Sequence, residues 1–283
     1  MSNIELDQVE KAFRIEYQGT TLDIFYSRLK QFHSEWLKRK RSFASTLVIG
    51  GSLFTPVIVA VVRLIHYRGL PAVYAADAFW PNMWRSCWES MAIFFLPLSA
   101  ILATSLITQI EFKSNAWKQV HALPVSTAVI FLTKLGVILV MIIEFLLLFN
   151  AAMYVFGMIP VAMPGVPAPK GAFLSLPLIR ENALYFIDVL PIIAAQYLMA
   201  LRSNNALVPI GIGFMAWVGA LAAVSSKVAI WWPYSYTIIH YLSDKPKGAK
   251  FAAYTELHWL SAISFLVLTV ISYVLFVTKR ERG

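Results

Sequence analysis

Two carboxylates, Glu144 and Asp188, stand inside long apolar runs and are the first candidates for chemistry in this sequence. An ionised carboxylate in hydrocarbon is costly unless it is paired or faces a polar cavity. Glu144 falls near the middle of the run Thr127–Phe156, and two readings of it stand. It is either a group that meets a substrate, a proton or a dimer partner, or a protonated structural carboxyl bonded to a neighbouring helix. Asp188 is expected near a headgroup layer, and Lys134 is expected to snorkel to the opposite one. Other chemistry is missing from the sequence. The five histidines (His33, His66, His121, His240, His258) show no metal-ligand spacing such as His-Glu-x-x-His. No Gly-x-Ser-x-Gly elbow and no Gly-x-x-x-x-Gly-Lys-Ser/Thr loop occurs, so neither a hydrolase nucleophile nor a nucleotide site is expected in this chain. No metal site and no cofactor is expected in it either. Cys87 is the single cysteine, which excludes an intrachain disulfide.

The elements that must position these groups are apolar helices. Of the 283 residues, 59% are hydrophobic and 14% charged, about half the charge of a soluble domain. Several runs reach the ~20 residues that a bilayer requires. The net charge of +9 gathers largely beside the first run, where a positive-inside bias explains it without nucleic acid. The polar first forty residues argue against a cleaved signal peptide. Residues 1–20 are a polar lead that reads as a strand, a helix or disorder. In residues 21–41, Leu22, Phe25, Leu29, Phe32 and Trp36 recur at steps of three and four. That spacing predicts an amphipathic helix lying at the membrane interface, closed by the basic run Lys38–Arg41.

The expected architecture is an all-α integral membrane protein with six transmembrane helices in residues 42–283, preceded by the amphipathic helix. The spans fall at about 43–65, 89–110, 127–156, 182–201, 206–224 and 258–277. Gly50, Gly51, Gly211, Gly213 and Gly219 are expected to let helices approach closely. The segment 66–87, with Trp80 and Trp84, is expected to be an outer loop, and Trp88 to lie beside it. The proline-rich segment 157–180 is expected to be extended. Trp231, Trp232, Tyr234 and Tyr236 read as an interfacial aromatic belt, and YSYTIIHYL as a short helix at or dipping into the outer leaflet.

Between the second and third spans lies EFKSNAWKQVHALPVSTAVIFLTK, residues 111–134. Lys113 to Leu123 reads as a short amphipathic helix, with Trp117 and Val120 on one side, and Pro124 ends it. Glu111, Phe112, Lys113, Asn115, Trp117, Lys118, His121 and Pro124, followed by Val125, Ser126 and the later Lys134, resemble the permease subunits of ABC-2 type transporters, in particular the bacteriocin-immunity and antibiotic-export branch. The resemblance implies an exporter-type permease architecture in a bacterial plasma (inner) membrane, with both termini cytoplasmic. It implies that residues 113–123 are a coupling helix docked on an ATPase, and that Phe25, Leu29, Phe32 and Trp36 lie on an elbow helix beside it. ATP and Mg²⁺ would be bound by that partner ATPase, present in two copies, and a second permease chain, identical or homologous, would complete the transporter. Membrane lipid is the remaining expected partner; nucleic acid is not. The implied cargo is amphipathic or hydrophobic: a peptide antibiotic, a lipid-linked molecule or a drug. Two rivals remain at this level, a stand-alone membrane enzyme acting on lipid and a structural component of a membrane complex.

Overall fold

A computed structural model describes residues 33, 36, 37, 39, 42–113, 127–243 and 256–280. Most of the expected amphipathic helix, including Phe25, Leu29 and Phe32, lies outside the described residues, as do the lead 1–20 and Asn115, Trp117, Lys118, His121 and Pro124. Every described element is helical. They are α1 (Phe43–Ile65), α2 (Leu70–Ala75), α3 (Phe79–Ser90), α4 (Leu96–Lys113), α5 (Thr127–Met158), α6 (Leu176–Arg202), α7 (Leu207–Ala223), α8 (Tyr236–Ser243) and α9 (Leu257–Arg280), with short 3₁₀ turns between some of them.

Five helical stretches are long and apolar enough to cross a membrane: Phe43–Ile65, Phe79–Ile110, Thr127–Ala162, Leu176–Arg202 and Leu257–Thr278. The sixth expected span is α7, which at 17 residues is shorter than these. At about 1.5 Å per residue it reaches about 26 Å, a little less than the ~30 Å hydrocarbon core. Residues such as Leu147, Met215, Leu266 and Val270 turn outward and are exposed, as lipid-facing positions require.

The helices alternate between two ends of the bundle. At one end Gln109 donates to the carbonyls of Ala200 (2.9 Å) and Ser203 (2.7 Å), and Phe131 meets Tyr273 and Phe276. At the other, the Tyr74 hydroxyl donates to the Gly157 carbonyl at 2.7 Å, and Arg63 lies over the Phe79 ring. These are called the Gln109 end and the Tyr74 end below. α9 packs along α6, α5 along α1, and α4 against both α1 and α6.

The segment expected to be a loop, 66–87, is instead mostly helical. α3, a π-helical turn (Met91–Phe95) and α4 run on as one rod from Phe79. Trp84 is half-buried, whereas Trp88 is fully buried, stacked on Tyr185 at 3.9 Å and edge-on to Phe149 at 5.3 Å. Trp80 packs against Tyr154 and over Gly157, where an added Cβ would meet its ring at 3.2 Å. Polar Asn82, Arg85, Ser86 and Glu89 lower the mean hydropathy of α3, but its aromatic stripe faces protein rather than lipid. Of the proline-rich segment, residues 157–158 still belong to α5, Ile159–Ala162 form a 3₁₀ turn and only 163–175 are irregular; Pro177 then opens α6 in its first turn, where a missing N–H costs nothing. That helix therefore begins about two turns earlier than the expected boundary at 182.

The segment after α7 also departs from the surface placement. Trp231 and Trp232 remain exposed, but Tyr234 and Tyr236 are buried, and so is most of α8. The Trp232 indole donates to the Ala216 carbonyl at 2.9 Å, and the Tyr234 hydroxyl to Gln196 at 2.9 Å. The chain leaves α7 at Ala223 and turns back alongside it, down to the level of Gly213–Ala216. α8 then climbs along α6 toward the Tyr74 end. YSYTIIHYL is thus a short helix covered by protein rather than an exposed surface helix.

The glycines divide. A Cβ on Gly213 would fall 2.5 Å from the Gln196 amide, and one on Gly51 would fall 3.2 Å from Phe145. Around Gly50, Gly211 and Gly219 no described atom of this chain lies within 4 Å, so none of them takes a neighbouring helix of the same chain.

Candidate functional site

Glu144 has a partner that its own helix cannot supply. The guanidinium of Arg39, from the residues before α1, donates to its carboxylate. Arg39 is buried, and its guanidinium also lies over the Trp36 ring at 3.7 Å from the centroid. The pair joins the segment preceding α1 to the middle of α5. It supplies the partner that a carboxylate inside an apolar run requires. Lys134 is a correction. Expected to snorkel, it is 1% exposed inside the bundle, where Phe131, Tyr197 and Phe276 surround the turn before it.

Asp188 is a second correction. It lies inside the protein at the Tyr74 end and is wholly buried. Glu181, Tyr185 and Asp188 recur along one face of α6, at helical spacing. Against that face α8 brings His240 and α9 brings His258 and Ser261. His258 Nδ1 lies 3.0 and 3.1 Å from the two Asp188 oxygens, and the Ser261 hydroxyl donates to Asp188 Oδ1 at 3.0 Å. His240 Nδ1 is 2.8 Å from Asp188 Oδ2, and its Nε2 is 3.1 Å from Glu181 Oε2. The His240 ring stacks on Tyr185 at 4.0 Å, which in turn stacks on Trp88. Burial opposes a charge on His240, but the neighbouring Asp188 and Glu181 carboxylates outweigh it and hold its pKa up at about 9.

One candidate ligand atom each from Asp188, His240 and His258 falls within 4.8 Å of the others. The sequence hides this grouping because its members are 18 to 70 residues apart and sit on three helices. Asp188 sits in the middle of α6 and His258 at the start of α9, so nothing in their spacing points to the grouping.

Deeper in the bundle, Gln196 forms a polar joint between helices. It donates to Ser105 at 2.9 Å and to the Pro209 carbonyl, and accepts from Tyr234. Between α1 and the α3 rod there is a partly open cavity of about 350 Å³, lined by Phe54, Ile58, Val59 and Phe95, with Thr55, Ser86, Glu89 and Ser90 as its polar residues. Glu111, Phe112 and Lys113 form the last turn of α4 at the Gln109 end. α5 begins at Thr127, and its Phe131 lies at that same end. The connection between them therefore joins two helices at one end of the bundle.

A family model described as ABC-2 family transporter protein matches residues 32–220. The match takes in α1 through most of α7, Glu144, Asp188 and the whole of 111–134; His240 and His258 lie beyond it. No curated protein and no solved structure matches the chain.

Proposed function

The chain belongs to the ABC-2 transporter family and is a membrane permease component of an ABC transporter; from that premise we propose how it works. A separate ATPase chain, bound in two copies, holds ATP and Mg²⁺. Its closure pushes on the coupling stretch 113–123, centred on Trp117 and Lys118. Because that stretch follows α4 directly and leads into α5, its displacement loads both helices along their axes. Arg39 and Glu144 pass the same movement to the segment before α1. A second permease chain, identical or homologous, faces this one, and α7 crosses as a sixth span. Both termini face the cytoplasm of a bacterial inner membrane, and cargo leaves the cell.

The observation that carries this reading is the family match across the helix–connection–helix unit formed by α4, 114–126 and α5. The cavity between α1 and the α3 rod is the proposed point of cargo contact. Its apolar wall and single carboxylate suit an amphipathic or hydrophobic molecule such as a peptide antibiotic, a lipid-linked molecule or a drug. The test is the double substitution Trp117→Ala, Lys118→Ala in the full-length chain. The variant is expected to insert and remain monodisperse while retaining less than about a tenth of the ATPase, since buried aromatic anchors dominate docking. Unchanged ATPase retention would remove 113–123 from the interface.

A further inference from the structure

We propose that Asp188, His240 and His258 form a zinc-binding site that clamps α6, α8 and α9 together at the Tyr74 end. The argument starts from donor chemistry. Two imidazoles and a carboxylate suit Zn²⁺ and disfavour Mg²⁺ and Ca²⁺, which take oxygen ligands. A tetrahedral zinc ion with bonds of about 2.0–2.2 Å needs donors about 3–4 Å apart. The three candidate atoms lie within 4.8 Å of one another, slightly more than that spacing.

Two features distinguish the cluster from an ordinary buried ion pair. His240 Nδ1 approaches an Asp188 oxygen to 2.8 Å, yet is not aligned with it as a hydrogen-bond donor. The supporting contacts also fit a ligated ion. The other nitrogen of His240 faces Glu181 at 3.1 Å, and Asp188 Oδ1 accepts from Ser261 at 3.0 Å. A carboxylate behind a ligating histidine fixes its ring and raises its basicity. Stacking of His240 on Tyr185 restrains the same ring from the side. Three protein ligands leave a fourth position for water or an incoming group.

The consequence is mechanical. α8 is a short helix of eight residues, held between two long ones. A zinc ion would tie it to α6 and α9 and set the stiffness of the inward-turning segment. The site belongs to the end of the bundle remote from the coupling stretch, and it stands or falls independently of the ATPase reading.

The experiment uses the full-length chain in mild detergent, without a histidine tag, stripped with chelator and then given Zn²⁺ or Mg²⁺. Zinc content per chain and melting temperature are measured for the unmodified protein, His258→Ala and Glu181→Gln. His258 is partly exposed, so its truncation leaves the buried side of the cluster in place. The unmodified chain is expected to retain one Zn²⁺ and to melt about 5 °C higher in excess zinc, with no response to Mg²⁺. His258→Ala is expected to lose both effects while staying monodisperse. Glu181→Gln is expected to bind Zn²⁺ about 10- to 100-fold more weakly. No zinc retention by the unmodified chain, or retention equal in the unmodified and His258→Ala proteins, would overturn the proposal.

Discussion

Glu144 shows how a polar residue in an apolar run is settled by a partner far away in sequence. Truncating it to alanine leaves the buried Arg39 guanidinium without its carboxylate, which costs about 1–3 kcal/mol. Glu144→Gln keeps an acceptor and costs less. The expected order of melting temperatures in detergent is therefore unmodified, then Glu144→Gln, then Glu144→Ala; equal temperatures for all three would show that the ion pair contributes nothing. The sequence could identify Glu144 as requiring a partner, because desolvation of a carboxylate is a local cost. It could not name Arg39, which stands 105 residues away among a basic run that also suits membrane headgroups. Asp188 was misread for a related reason. Its position near the start of the expected span suggested water or headgroups, whereas α8 and α9 cover it completely.

At the scale of elements, hydropathy marks the helices that are apolar along their whole length, buried or not, and misses the one with a polar outward side. The first span was read at 43–65 and found at Phe43–Ile65, and the third was read at 127–156 and found at Thr127–Met158. α3 was missed because its outward side is polar and its aromatic stripe is spent on Tyr185, Phe149 and Tyr154. Small residues were legible as a pattern on α7, but which of them takes a neighbour depends on helix rotation. This makes a paired prediction. Gly213→Ala places a Cβ against the Gln196 amide and disturbs its bonds to Ser105, Pro209 and Tyr234, at a cost of about 1–3 kcal/mol. Gly219→Ala meets nothing within 4 Å and is expected to leave stability unchanged or slightly raised. Thermal unfolding of the two variants checks this, and equal destabilisation would mean that α7 is rotated from the position described.

For the whole molecule, the two ends of the bundle gather different groups. The Gln109 end gathers the last turn of α4, the start of α5 and the turn between α6 and α7, held by Gln109 and by the Phe131 aromatic group. The Tyr74 end gathers the inward-turning segment, the histidine cluster and the buried tryptophans. α4, α5 and α6 run between the two ends, and Gln196 bonds both Ser105 and Tyr234 part-way along. The central claim is that this chain works as a permease driven by a separate ATPase. The most direct test is to isolate the full-length chain in mild detergent or nanodiscs, identify what accompanies it, and assay ATP hydrolysis. The account predicts recovery of a P-loop ATPase with vanadate-sensitive hydrolysis. A monodisperse, folded chain recovered alone and without hydrolysis would contradict it.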